Sequence, residues 1–244
     1  MIAQTKAELL KLRSTRTTVG LVLGMLALIV LFGLLAGLLT HAGSLTTPEN
    51  QRGILGVGSL AGVFSALAGV LLVTGEYRFG TIRPTFLFTP RRSQVIGAKL
   101  VASVLAGVAF GVAGEGLGFA IGYVCLDARG IPLALHGGAI TLVLLGTVAG
   151  VALWGAIGVG VAAIVRNQIG TIVGLLAWGF IVENLLFSFV PSVGRFTPGE
   201  ASNALAGLTT NHLVSPAAGG AVMVAWIVAL SAAGLALTAR RDVG

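Results

Sequence analysis

Charge is scarce in this chain. Asp, Glu, Lys and Arg make up 9% of the 244 residues, against about a quarter in an ordinary soluble domain. A soluble domain of this length would bury a sizeable core but would need a charged surface, so that class is excluded. Cys125 is the single cysteine, which excludes an intrachain disulfide and a CxxC metal knuckle. A lone thiol of this kind is expected to pack as a small residue near a helix end. There is no GxxxxGK[ST] phosphate loop, so the chain does not bind ATP in the Walker manner. There is no HExxH pair, and no Ser, His and Asp fall at one depth, so hydrolytic chemistry has no residues to work with. His41, His136 and His212 fall in loops without Cys or carboxylate partners, and no metal site is expected from them. No catalytic, metal-binding or cofactor-binding residue is expected, and the chain reads as a non-enzyme. An internal repeat of two three-span halves is also missing, which argues against a repeat-built secondary transporter.

What fills the chain is apolar sequence: 56% of residues, with a mean hydropathy of +1.00. That composition is the signature of a polytopic membrane protein. The sequence pI is near 10.8. The bases punctuate apolar runs and form no patch, so they are read as membrane-orientation signals and no nucleic-acid partner is expected. Arg outnumbers Lys twelve to three, with abundant Ala and Gly, which hints at a GC-rich bacterial genome.

The pass along the chain gives an all-α membrane protein. Residues 1–17 carry Lys6, Lys11, Arg13 and Arg16 with Glu8. Ile2, Leu9 and Leu12 share one helical face, as do Ala3, Ala7 and Leu10. This predicts either an amphipathic helix on the membrane surface or an ordinary basic flank. Six spans follow at 18–39, 54–74, 100–124, 139–165, 169–190 and 217–239, and residues 240–244 close the chain. The first apolar run is too long for a signal peptide, roughly 22 residues against 7–15, and is read as retained. Residues 41–53 read as a loop with turn formers and Pro48. Residues 166–168 read as a tight turn, and 191–216 as a polar connection. Each span is long enough to cross a ~30 Å hydrocarbon core.

Six crossings put both termini on one side. The segments on that side hold 12 of the 15 Lys and Arg; the opposite side holds only Arg52, Arg129 and Arg195. The positive-inside rule makes the terminal side cytoplasmic. Small residues recur every four positions at Gly107 and Gly111, at Gly114, Gly118 and Gly122, and at Gly146 and Gly150. Such stripes predict close helix packing, within one bundle or across a dimer seam. Two carboxylates fall inside spans, Glu115 in the third and Glu183 in the fifth, the latter beside Asn184. Both lie roughly 22 Å from the cytoplasmic end. An ionisable residue at that depth faces a cavity or a partner. Glu115, Glu183 and Asn184 are therefore candidates for a translocation path, with a hydrogen-bonded Glu between helices as the structural alternative.

The most unusual stretch is the loop at 76–99, EYRFGTIRPTFLFTPRRSQVIGAK, which carries five bases and one acid between two apolar spans. Gly75-Glu76 is expected to end the second span. Thr81 reads as an N-cap, Ile82 and Phe86 share a face at i, i+4, and Thr89-Pro90 starts a second helix that runs on into the third span. A short apolar-faced helix needs a surface to pack on. The pattern Glu76-x-Arg78-x-Gly80-Thr81-Ile82-Arg83, followed by Thr89-Pro90-Arg91-Arg92 and Lys99, resembles the first cytoplasmic loop of ABC-2-type permeases, the membrane subunits of ATP-binding-cassette exporters.

The resemblance extends over nearly the whole chain and implies a compact, type V exporter-like transmembrane domain in a bacterial cell membrane, with residues 1–17 as its elbow segment. It implies that 81–88 is a coupling helix seated in a separate ATPase subunit. Glu76, Arg78, Gly80, Thr81, Ile82, Arg83, Phe86, Arg91 and Arg92 would make that contact. It also implies short re-entrant or surface helices within 191–216. Two ATPase subunits would carry ATP and Mg²⁺, this chain itself holding no cofactor. A second permease copy, or a sister permease, would complete the transporter among membrane lipids. The cargo would be a hydrophobic or amphipathic compound such as a drug, a peptide antibiotic or a lipid, and such a permease can serve antibiotic resistance. The alternative is an autonomous proton-coupled secondary transporter or channel that uses Glu115 and Glu183.

Overall fold

The protein is described by a computed structural model covering residues 1–82, 92–208 and 212–240. Within those residues every regular element is helical. Six helices are long and apolar enough to cross a membrane: Arg16–Leu39, Val57–Arg78, Ser93–Ala128, Gly137–Val165, Gln168–Phe189 and Pro216–Thr238. The six expected spans all exist, with shifted ends.

The chain begins with α1 (Ile2–Ser14), which turns at Thr15 into α2 (Arg16–Leu39), the first span. α1 is docked on the bundle: Leu12 is buried and Leu9 partly so, while Ile2 and Leu10 stay exposed. The loop expected at 41–53 is instead largely helical. A short helical turn, Ser44–Thr46, leads into α3 (Pro48–Leu55). Pro48, read as a loop residue, sits in the first turn of α3, where its missing N–H costs nothing. Thr47 caps that turn by accepting from the Asn50 backbone N–H. Ile54 and Leu55, expected in the second span, therefore belong to α3. The span begins after Gly56 with a tight turn, Val57–Leu60, and continues as α4 (Ala61–Arg78). Gly75 does not end α4. The helix runs on through Arg78, and the chain turns away at Gly80, whose φ of 69° suits glycine.

α5 (Arg92–Ala128) is the longest helix, at 37 residues. It carries Cys125 buried near its far end, where the thiol packs on Gly37 of α2. α6 (Gly137–Val165) ends at Arg166, in the left-handed conformation, and Asn167 caps α7 (Gln168–Ala177) by accepting from Gly170 N at 2.8 Å. The fifth span is broken in style but not in direction: a π-helical turn, Trp178–Val182, joins α7 to α8 (Glu183–Phe189). The polar connection holds a single turn, Pro191–Gly194, and α9 (Pro198–Leu205), before α10 (Pro216–Arg240) forms the last span.

The second, third and fourth spans form the centre, and the first, fifth and sixth pack around it with most of their apolar surface uncovered. Central packing depends on missing side chains. A Cβ on Gly69 would collide with the Gly155 carbonyl oxygen, and one on Gly158 with that of Ala66, so α4 and α6 touch backbone to backbone. The glycine stripes of α5 and α6 are filled from within the same subunit. Gly107 faces Ala152, Gly111 faces Val148, Gly114 faces Ala61, Gly118 faces Gly58 and Gly122 faces Ile54; Gly146 and Gly150 face Leu205 and Ser202 of α9. Of the two readings open in the sequence, packing inside one bundle accounts for these stripes.

Gly158→Ala should lower the unfolding midpoint in detergent by ~3–10 °C, from an overpacking cost of about 1–3 kcal/mol. Gly174→Ala, where a Cβ meets nothing within 4 Å, should leave it unchanged. Equal midpoints for the two variants would contradict the close α4–α6 contact.

Candidate functional site

At the end of the bundle where α1 lies, four charged side chains converge. Lys99 projects from α5, Glu76 from the last turn of α4, and Glu8 and Lys11 from one face of α1. Lys99 Nζ lies 3.0 Å from each Glu8 oxygen and 2.8 Å from Glu76 Oε1, and it donates to the Leu72 carbonyl at 2.8 Å. Its three protons thus meet three acceptor groups. Lys11 Nζ donates to the same Glu76 oxygen at 2.7 Å and to Glu8 Oε1 at 3.0 Å. Lys99, Glu8 and Glu76 are buried; Lys11 is half-exposed and forms the lid. The formal charge of the group is zero, which is the condition for burying it at all.

Burial works against the Lys11 ammonium, but its hydrogen bonds to Glu76 and Glu8, and their negative charge, outweigh this and hold its pKa above the ordinary 10.5. The stabilisation it contributes is therefore complete below about pH 10.5 and is lost only as pH rises through the raised value.

This cluster fixes the flanks of the 76–99 loop. Glu76, expected as a polar contact for a partner, faces inward instead. Arg78 and Phe79 are exposed; the Arg78 guanidinium lies 5.6 Å from the Phe79 ring centre and donates to Gln168 Oε1 at 3.4 Å. Gly80 and Thr81 lie in the exposed turn, and Ile82 is buried. Arg83, Phe86 and Arg91 lie outside the described residues, as does the side chain of Arg92 and with them most of the expected 81–88 helix. A cavity of about 450 Å³ opens between α1 and the end of α4, lined by Lys11, Leu72, Glu76, Arg78, Phe79 and Gln168 among others.

The two span carboxylates have different fates. Glu115 is buried against Gly58, and neither of its oxygens has a partner among the described residues. Glu183 is buried and satisfied. Its Oε1 accepts from Trp178 Nε1 at 2.7 Å and its Oε2 from the Gly199 N–H at 2.8 Å. Gly199 is in the first turn of α9, so Glu183 caps that helix from the fifth span. Asn184 is exposed, and its amide donates to the carbonyls of Gly179 and Phe180, beside the π-turn. The structure does not bring Glu115 and Glu183 to one site.

Glu183 and Asn184 line a cavity of about 250 Å³ together with Glu200, Trp154 and Phe180. A second cavity, of about 320 Å³, is lined by Arg52 and Thr147. Ser59, Ser202 and Asn203 border both. Sequence reading missed Glu8, Lys11 and Lys99 as a cluster, and Arg52 and Glu200 as cavity residues. A sequence signal existed for the cluster: Glu8 and Glu76 are two lone acids in basic segments at the same end of the bundle.

No protein-family model matches the sequence, and no curated protein matches it.

Lys99→Met should destabilise the chain by about 3–5 kcal/mol, because it leaves two buried carboxylates sharing the single half-exposed Lys11. Adding Glu8→Gln should recover part of that loss. Thermal unfolding of the purified variants in one detergent measures both; an unaltered midpoint for Lys99→Met would mean that the cluster is not closed.

Proposed function

We propose that this chain is the membrane-spanning permease subunit of an ATP-driven ABC exporter of the ABC-2 type, working in a bacterial cell membrane with both termini in the cytoplasm. The single observation that carries the reading is the loop at 76–99, whose pattern resembles the coupling loop of that family. The six-helix architecture is compatible with it, and so is the charge cluster at the loop's two flanks. A loop that transmits force must be anchored at both ends, and Glu76 and Lys99 are ion-paired 2.8 Å apart across the loop they delimit.

In this reading a separate ATPase subunit docks on the loop and supplies ATP and Mg²⁺. Two ATPase and two permease subunits, a homodimer of this chain or a pair with a sister permease, make one transporter. ATP-driven closure of the ATPases pulls the loops together. The cluster passes that motion to α4 and α5 directly and to α1 through Glu8. The cargo is a hydrophobic or amphipathic compound such as a drug, a peptide antibiotic or a lipid. Phosphoryl transfer needs a phosphate cradle and Mg²⁺, and both belong to the partner.

A second reading, proton-coupled transport without an ATPase, is favoured by one observation: the buried carboxyl of Glu115 has no partner among the described residues. Glu183, as a helix cap, gives it less support.

Co-expression with the ATPase encoded beside it should yield a complex that survives mild solubilisation. Arg78→Glu with Phe79→Asp, at exposed positions, should cut ATPase recovery at least tenfold while leaving the yield and midpoint of the permease unchanged. Recovery of no ATPase with wild type, together with solute movement along a proton gradient that Glu115→Gln abolishes, would replace the exporter reading with the second one.

A further inference from the structure

The two cavities on the far side of the bundle from α1 are lined by side chains of opposite formal charge that form no ion pair among the described residues. Among the described residues, all ion pairs fall within the Glu8, Lys11, Glu76 and Lys99 cluster. Glu183 and Glu200 line one cavity, whose lining contains no Lys or Arg among the described residues. Arg52 lines the other, whose lining contains no acid among the described residues. The wall between them is short and polar, made by Ser59, Ser202 and Asn203.

Helix capping explains part of this arrangement. Glu183 sits at the start of α9, and Arg52 Nη1 donates to the Gly207 carbonyl just past its end. Capping leaves other groups unexplained. Among the described residues, Arg52 Nε is buried with no partner, and so is the hydroxyl of Thr147, which is 2% exposed. Both belong to residues lining the same cavity, and both are donors without an acceptor. A buried donor in that condition calls for water or a ligand oxygen. In the other cavity, Glu200 and Asn184 offer acceptors, and Trp154 and Phe180 offer ring faces, which is the chemistry that holds an ammonium. At ~30 Å³ per water, each cavity holds on the order of ten waters. That suits a small charged group at each end, and among the cargo classes proposed above it favours a lipid headgroup over a bulky drug.

We propose that the paired cavities bind an ammonium–phosphate zwitterion, with the ammonium in the Glu183–Glu200 cavity and the phosphate against Arg52 and Thr147. Its source is either a phosphoethanolamine lipid headgroup or a free phosphorylated amine. As a phosphodiester headgroup such a ligand is neutral overall, as a free phosphate monoester it is net negative, and either form places its two charges at opposite ends, as the site does. The proposal names a cargo for the permease and rests on that reading only for the step that moves the ligand; binding itself needs no ATPase.

The test uses the full chain, purified in detergent and stripped of lipid. Glycerophosphoethanolamine, glycerophosphate and ethanolamine are each titrated by calorimetry. The expected result is saturable binding of glycerophosphoethanolamine at least tenfold tighter than either half. Glu200→Gln should weaken it at least tenfold while changing glycerophosphate binding less than twofold. Arg52→Gln should do the converse, sparing ethanolamine. Should Arg52→Gln fail to fold, Thr147→Val serves in its place, and the comparison of the whole probe with its halves needs no variant. Nanodiscs of equal phosphatidylethanolamine and phosphatidylglycerol then separate the sources: native mass spectrometry showing retained phosphatidylethanolamine assigns a lipid headgroup, and soluble binding without retention assigns a free solute. No saturable binding together with no lipid enrichment, or binding that both variants leave intact, overturns the proposal. Loss of ATPase co-purification would bear on the exporter reading alone.

Discussion

Lys99 is the residue on which the rest of this bundle turns. An ammonium removed from water is tolerable only if its charge and all three protons are met. Here the requirement recruits three elements at once: α1 through Glu8, and α4 through Glu76 and the Leu72 carbonyl, both onto α5. The helix before the first span is therefore part of the domain and not merely a sticker on the lipid surface. The same contacts set the distance between the last turn of α4 and the early part of α5, and so the width of the loop they carry.

The two ends of the molecule are built on different physics. Around Lys99 opposite charges are brought together and made neutral. On the far side they are held apart, with α9 lying between acids at its start and an arginine beyond its end. α9 is itself placed by contacts that tolerate no bulk: Gly146 and Gly150 of α6 lie against it, and Glu183 grips its first turn. The π-turn just before Glu183 adds a residue to the register of the fifth span. Turns of this kind are common where a helix must aim a side chain, and here Trp178 and Glu183 are joined across it by a hydrogen bond of 2.7 Å.

The sequence made the span count and the turn at Arg166–Gln168 legible, because each is a local or compositional property. Hydropathy recognises a span from its own residues, and a tight turn is marked by the polar residues that form it. Segments whose structure depends on a distant partner were not legible. Pro48 looked like a loop residue because its helix, α3, is short and is held by contacts elsewhere: Gln51 bonds the carbonyls of Leu45 and Pro132. Gly75 looked like a helix end, yet the turn is made at Gly80, where the backbone takes a positive φ. Glu76 looked like a surface contact because its cations are 65 residues before it, at Lys11, and well after it, at Lys99. Glu183 was recognised as a buried polar feature from sequence alone, but its partner, a backbone N–H sixteen residues on, carries no side-chain signature.

The charge cluster also has a temporal side. Chains are made from the N-terminus, so Glu8 and Lys11 exist first, Glu76 joins them once the second span is complete, and Lys99 arrives last of the four. Until α5 enters the bilayer, two carboxylates share one half-exposed lysine. The incomplete intermediate is net negative at the point where it must be buried, and only the third span removes that charge. In the finished fold Lys99 joins α1 to the second span, so the cluster is complete only once the third span is present.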